Sequence, residues 1–289
     1  PHSPWDKGDP SRYPLDAIEL PATFVDTAET REAMSRYLAE ISYYDDQLGQ
    51  TLDIINNNKL EDHTLVIAAT EQGTSLPMAK WTCYDAGIKA GMVARWPGRI
   101  EPGSHSASLM EYADLLPTFV TAAGGTPDPV LDGKSLFPLF EDPKTVLKDM
   151  VHSQTTTKGI INGSEHFGIR SVRTLNYKYI WNFTPDVRYS NVVTIEEDTK
   201  WGESTVFNSW RRRAETDPDA AEKVHRYEYR PGEELYLVSE DPEELHNLAG
   251  NPEYAAIKAR LRNAMLEQME ATGDLGQQSE VDAHLFQNK

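Results

Sequence analysis

The 289 residues carry a formal net charge of −18, with 39% hydrophobic and 26% charged side chains, the balance of a globular protein built as one large domain or a domain with a subdomain. That acidity speaks against nucleic acid as a partner, no run approaches the ~20 apolar residues of a membrane span, and the lone cysteine, Cys83, excludes an internal disulfide framework. An anionic substrate would need local positive charge, from a metal or a few basic side chains, because the global field opposes it.

The opening Pro1-His2-Ser3-Pro4-Trp5 has no signal-peptide pattern and reads as the interior of a longer sequence. Five prolines in the first 21 residues predict an extended segment without an α-helix. Prolines at positions 1 and 4 stiffen the chain around His2. That imidazole is either a surface loop histidine or a fixed proton donor to an anion. Asp26-Thr27-Ala28-Glu29 resembles a capping box, and the helix it opens runs to about Asn56. Met34, Tyr37, Leu38, Ile41, Tyr44, Leu48, Leu52 and Ile55 form its apolar stripe. Asp45 and Asp46 face different directions on that helix and read as solvated.

Leu65-Val66-Ile67-Ala68-Ala69 is a short apolar run without alternation, as expected of a strand buried on both faces in a parallel sheet. It breaks into Glu71-Gln72-Gly73. Ligands gather at the carboxyl ends of strands in open α/β sheets. A carboxylate and an amide oxygen there suit a hard cation, Ca²⁺ or Mg²⁺. Lys80 follows nine residues after Glu71 and can return an ammonium to the same mouth. A metal with a nearby ammonium suits an anionic ester. Trp81 and Tyr84 either stack on a sugar ring or pack in the core.

Asp85-Ala86-Gly87 reads as a turn and residues 91–95 as a strand ended by Trp96-Pro97-Gly98. A helix is predicted over 112–123 with Pro117 in its first turn, and Asp132 to Leu136 leads into a short helix. Near residue 145 the texture changes. Residues 150–153, 166–174 and 177–183 are short, β-branched and aromatic, and close enough for hairpins. Residues 185–231 read as irregular with a helix around 209–215. A last strand falls at 234–237. An amphipathic helix spans 251–272, stopped by Gly273. The expected class is therefore α/β: residues 1–145 belong to a mostly parallel sheet with helices on both faces, and 146–289 form a small antiparallel α+β subdomain with a terminal helix.

Several pieces, in order, resemble one family. They are Pro1 to Trp5, Tyr44-Asp45-Asp46-Gln47-Leu48-Gly49, Thr64 through Gly73, Lys80-Trp81-Thr82, Arg95-Trp96-Pro97-Gly98, and Asp114-Leu115-Leu116-Pro117-Thr118. Further on come Arg170 to Thr174 with Tyr177-Lys178-Tyr179, Arg230-Pro231 through Tyr236, and Asp241 through Ala249. Together they resemble the C-terminal half or more of a type I, formylglycine-dependent sulfatase of the alkaline phosphatase superfamily. The likeness is to the heparan N-sulfatase-like branch and its bacterial polysaccharide-sulfatase relatives.

The resemblance implies an alkaline-phosphatase-like sandwich and a hydrolase of sulfate esters or sulfamates on a glycan. Glu71 and Gln72 then stand at metal-ligand positions for Ca²⁺, with Mg²⁺ as the alternative. Lys80 and His2 stand at catalytic positions, the lysine on the sulfate oxygens and the histidine on the sulfate or the leaving oxygen. Arg170, His166 and Trp81 are the substrate-binding candidates, and His152 is a further residue of the same mouth. Two departures stand out. The family usually has Asp where Glu71 stands, and His or Asn where Gln72 stands. The nucleophile motif, C-x-P-S-R or S-x-P-S-R, does not occur, and Cys83 in Trp-Thr-Cys-Tyr-Asp does not match it. The chain is thus expected to be the C-terminal part of a longer protein, inactive alone, whose missing N-terminal portion brings the formylglycine and two aspartate ligands. The implied substrate is a sulfated oligo- or polysaccharide. The implied setting is periplasmic, secreted or lysosomal, with no nucleic-acid or membrane partner. A phosphodiesterase or phosphonate hydrolase of the same superfamily, and a non-catalytic glycan-binding pseudoenzyme, are the alternatives.

Overall fold

The computed structural model describes residues 4–197 and 203–285; His2 lies outside the described residues. Helix α1 (Ala28–Asn57) begins one residue later than the Asp26 signal suggests. Thr27 is its cap, the hydroxyl accepting from the Thr30 N–H at 3.1 Å, which satisfies one of the orphan donors of the first turn. Asp26 instead pairs with Arg31 Nε at 2.6 Å. The apolar stripe is covered only in the first half of the helix. Met34 is buried, whereas Ile41 and Tyr44 stand open to solvent.

Strand β1 (Val66–Ala69) is followed by a long loop and a single helical turn, α2 (Asp85–Ile88), before strand β2 (Met92–Arg95). β2 pairs antiparallel with β1, Ile67 opposite Ala94, in a two-stranded sheet. The parallel neighbours expected for β1 do not occur among the described residues, and every β1 residue is half-buried rather than buried. An apolar run reports that a strand is sheltered, not which way its neighbour runs. Helices α3 (Leu115–Ala122) and α4 (Phe137–Glu141) follow. The buried Asp114 before α3 accepts from the N–H groups of Glu111 and Lys134 at 2.8 and 2.7 Å and pairs with Lys148 Nζ at 2.8 Å. This gives the Asp114 motif a structural job.

The expected antiparallel subdomain is present. Strands β3 (Val151–Thr156), β4 (Gly168–Arg173), β5 (Tyr177–Asn182) and β6 (Glu233–Leu237) form one sheet in that order. Between β5 and β6 lie two helices, α5 (Glu203–Ala214) and α6 (Pro218–Glu228). Only part of α5 was legible in the sequence, and α6 was missed. After β6 come α7 (Ala255–Thr272), ended as expected by Gly273 at φ +70°, and the short α8 (Gln277–Asp282).

Period-two alternation gives this sheet two faces with different partners. Val172, Tyr179 and Leu235 pack on Leu261, Met265 and Met269 of α7. The alternate residues Ile169, Ile180 and Tyr236 join a second core with Phe24, Leu76 and Tyr84 from the first half of the chain. Trp210 of α5 completes that core, its indole N–H reaching Thr30 Oγ1 of α1 at 2.8 Å. Residues from both sides of the expected boundary at 145 thus share one interior.

Candidate functional site

The end of β1 is held from two sides. Thr70 N–H donates to Gly91 O at 2.9 Å and Gly91 N–H returns to Thr70 Oγ1 at 2.9 Å, while the Tyr112 hydroxyl donates to Thr70 O. Glu71 follows as an exposed carboxylate and Gln72 as a half-buried amide. Burial pushes the Tyr112 phenol above its ordinary pKa, and the field of the Glu71 carboxylate adds to the push. Gly73 then passes against α2: its N–H donates to Gly87 O at 3.0 Å, and a Cβ there would meet Ala86 O at 1.8 Å. Only glycine lets the two backbones come this close.

From Ser75 the chain dips inward, burying residues 76–79, and re-emerges at Lys80. Lys80 N–H donates to Thr74 O at 2.9 Å, which brings the lysine back beside the segment that carries Glu71 and Gln72. Its ammonium sits 5.3 Å from the centre of the Trp81 ring, a cation–π contact at a partly open site. Among the described residues no carboxylate lies within ion-pairing distance of Lys80 Nζ or an ammonium within that distance of Glu71. Glu71, Gln72 and Lys80 are thus carried by one loop whose two ends the Lys80 N–H to Thr74 O bond draws together. Trp81 is half-buried beneath the lysine with its backbone at φ +68°.

Two oxygen donors at a strand end fit a hard cation, but Ca²⁺ takes six to eight. Among the described residues no three His, Cys, Asp or Glu side chains gather as a metal cluster. Glu71 and Gln72 are therefore at most part of a coordination sphere.

Arg170 requires a correction. It sits on the α7 face of β4, with Val172, and its side chain is buried there. Nε and Nη2 donate to Asp274 at 2.5 and 3.2 Å, Nη2 also to Glu280 at 2.8 Å, and Nη1 to Ile169 O at 3.1 Å. Its donors are consumed in tying the C-terminal tail to the sheet, so it is not available as a substrate contact. His166 is turned to the same end, its Nδ1 3.1 Å from Glu280 O and Nε2 3.3 Å from Glu165. His152 is partly buried, and that desolvation lowers its pKa.

One position of parity decides this. Arg173, three residues on, is on the opposite face and reaches the Lys80 loop, its guanidinium 3.1 Å from Asp85. There it joins Lys178, fully buried, whose ammonium lies 2.6 Å from Asp85 Oδ1 and 2.9 Å from Glu244 Oε1. Glu244 also accepts from the Asp85 N–H at 2.5 Å. Burial alone would raise the Asp85 carboxyl, but Lys178 and Arg173 outweigh it and hold it below its ordinary value. Sequence reasoning missed this brace. Its one signal was Lys178 between Tyr177 and Tyr179, a charge on a strand with both faces covered.

The sulfatase family profile matches residues 1–125, and the profile of the N-sulphoglucosamine sulphohydrolase C-terminal region matches 78–209. An ulvan-active sulfatase of Formosa agariphila is 37% identical over 83% of this chain and 44% of its own length. The chain thus spans less than half of that relative. Among solved structures, BT4656, determined with its substrate D-glucosamine-2-N,6-O-disulfate, superposes with a TM-score of 0.60 at 20% identity, over 85% of this chain and 42% of that one. A phosphonate monoester hydrolase from Silicibacter pomeroyi superposes with a TM-score of 0.59 at 18% identity, over 92% and 47%. These two likenesses are of fold.

Proposed function

Because the chain belongs to the sulfatase family, we propose that it carries the sulfate-holding rim of a hydrolase of sulfate esters or sulfamates on a glycan. The observation that supports this reading is the Lys80 N–H to Thr74 O bond, which returns the lysine's backbone to the segment that follows Glu71 and Gln72. In this reading the Lys80 ammonium binds the sulfate oxygens and stabilises charge that builds there as the ester breaks. Glu71 and Gln72 offer a carboxylate and an amide oxygen to Ca²⁺, or to Mg²⁺. Such a cation, when bound, supplies positive charge against the sulfate oxygens. His2 would hold the sulfate or give a proton to the leaving oxygen. Trp81 offers its ring edge to a sugar, its face being shared with Lys80.

The formylglycine nucleophile and the remaining metal ligands would come from a portion of the protein beyond these residues. Support for that partner comes from the surface. Ile41, Tyr44 and Ile54 of α1, Val93 of β2, and Leu116 and Phe119 of α3 stand in solvent, and an adjoining part of the catalytic domain would cover them. Among the described residues no helix is long and apolar enough to cross a membrane. A periplasmic, secreted or lysosomal setting suits a sulfated polysaccharide or glycosaminoglycan substrate.

The test is turnover by the gene product that carries these residues, on aryl sulfate, sulfated oligosaccharide and aryl phosphonate monoester, with and without a chelator. Sulfate release lost on chelation is expected. Cleavage of the phosphonate without the sulfate would favour the phosphonate hydrolase, whose fold is shared. Glycan binding without turnover would leave a binding protein.

A further inference from the structure

Lys80 occupies an unusual piece of backbone. Two non-glycine residues of its loop, Met78 at φ +67° and Trp81 at φ +68°, are left-handed, a conformation that bulky side chains avoid unless the surroundings impose it. The surroundings of Trp81 are supplied by the second half of the chain. The hydroxyl of Tyr189, a fully buried residue, donates to Trp81 O at 2.5 Å. Lys80 is therefore pinned on both flanks, through its own N–H to Thr74 and through the next carbonyl to Tyr189.

Tyr189 is itself over-determined. Phe167 meets its ring edge-on at 4.9 Å, and Asn191 Nδ2 donates to its hydroxyl at 3.4 Å and to that of Tyr227 at 2.9 Å. The Arg230 guanidinium lies 3.9 Å from the centre of the Tyr189 ring, with Tyr227 at 5.5 Å and Tyr84 at 5.7 Å. Arg230 is buried, and its Nε and Nη2 have no hydrogen-bond partner. Its charge is answered by ring faces and by the field of the buried Glu234 carboxylate, and a cation against a phenol ring draws electron density from it and makes the O–H a better donor.

We infer that Tyr189, backed by Arg230, is a positioning residue that holds Trp81 in its left-handed turn and thereby sets where Lys80 presents its ammonium. The inference rests on the sulfatase reading of Lys80. It gives the buried arginine a purpose that packing alone does not require, since an aliphatic side chain would fill the same space without two buried nitrogens that lack hydrogen-bond partners.

The test is a double-mutant cycle in the gene product, with Tyr189→Phe and Lys80→Ala alone and together. Sulfate-ester kcat/KM, melting temperature and hydrogen exchange of residues 78–84 are measured for each. Tyr189→Phe alone is expected to lower kcat/KM about tenfold, the effect of one directed hydrogen bond on the placement of a reacting group, and to speed exchange of that segment. In the Lys80→Ala background the same change should cost less than about twofold in kcat/KM, with the melting temperature falling equally in both backgrounds. Unchanged kcat/KM in Tyr189→Phe, an equal loss with and without Lys80, or unaltered exchange would overturn the inference. Absence of sulfate release from the wild type, or full activity of Lys80→Ala, would instead overturn the sulfatase reading on which it stands.

Discussion

Substituting Lys178→Met removes the only ammonium in the brace between the C-terminal sheet and the Lys80 loop. Lys178 has no exposed surface, and its charge is shared by Asp85 at 2.6 Å and Glu244 at 2.9 Å. Asp85 would keep Arg173, but Glu244 would be left as a buried carboxylate without a cation. Removing one partner of a buried ion pair costs about 3–5 kcal/mol, and the surviving arginine places this case near the lower end, about 3 kcal/mol. Urea unfolding should show it as a midpoint lower by about 1 M at unchanged slope. Burial already raises the Glu244 carboxyl above its ordinary value, with Lys178 as the main counterweight. Without Lys178 it rises further. A carboxyl raised in the folded state favours folding below its unfolded value and loses that contribution as pH rises through the folded one. The variant's deficit should therefore be largest at pH 7 and above and shrink toward pH 5. A deficit under about 1 kcal/mol, or one that grows on acidification, would refute the reasoning.

Three further outcomes follow. The Asp85 and Asp274 carboxyls, which burial would raise but their basic partners hold down, stabilise the fold above the ordinary carboxylate value of about 3.9. That contribution is lost as pH falls through their depressed values, so acid unfolding should set in below about pH 4, with a shallower fall in Asp85→Asn. Arg170→Leu leaves Asp274 and Glu280 unanswered and should cost about 3 kcal/mol in stability, while the KM for a sulfated substrate stays within about twofold; a large rise in KM would restore Arg170 as a substrate contact. Gly73→Ala should push the Glu71 loop away from α2, because its new Cβ would meet Ala86 O at 1.8 Å, and both activity and metal affinity should fall about tenfold or more. Wild-type behaviour of that variant in both assays would count against the loop as the metal rim.

What could be read from the sequence was what local chemistry dictates. The alternating aromatic strands, the Gly273 stop and the Glu71-Gln72-Gly73 break after an apolar run each have one physical meaning, and each appears where expected. The direction of the β1 partner was not legible, because an apolar run is the same in parallel and antiparallel pairing. Arg170 was misassigned because the register of β4 fixes which face it uses, and a shift of one residue would have exchanged it with its neighbours. α6 was missed because its start signals, Asp217 as cap and Pro218 at the first position, and its narrow apolar stripe of Ala220, Val224 and Tyr227 stand in an otherwise charged stretch. The Asp85–Lys178–Glu244 brace joins three distant segments, and no local pattern announces a contact between residues 93 or 159 apart in the chain.

The most direct test of the sulfate-holding rim is the kcat/KM for sulfate release by Lys80→Ala, with circular dichroism and melting temperature confirming an unchanged fold. Loss of the ammonium that stabilises the departing sulfate should lower it by about 10²-fold or more. A folded Lys80→Ala variant that releases sulfate at the wild-type rate would contradict the account.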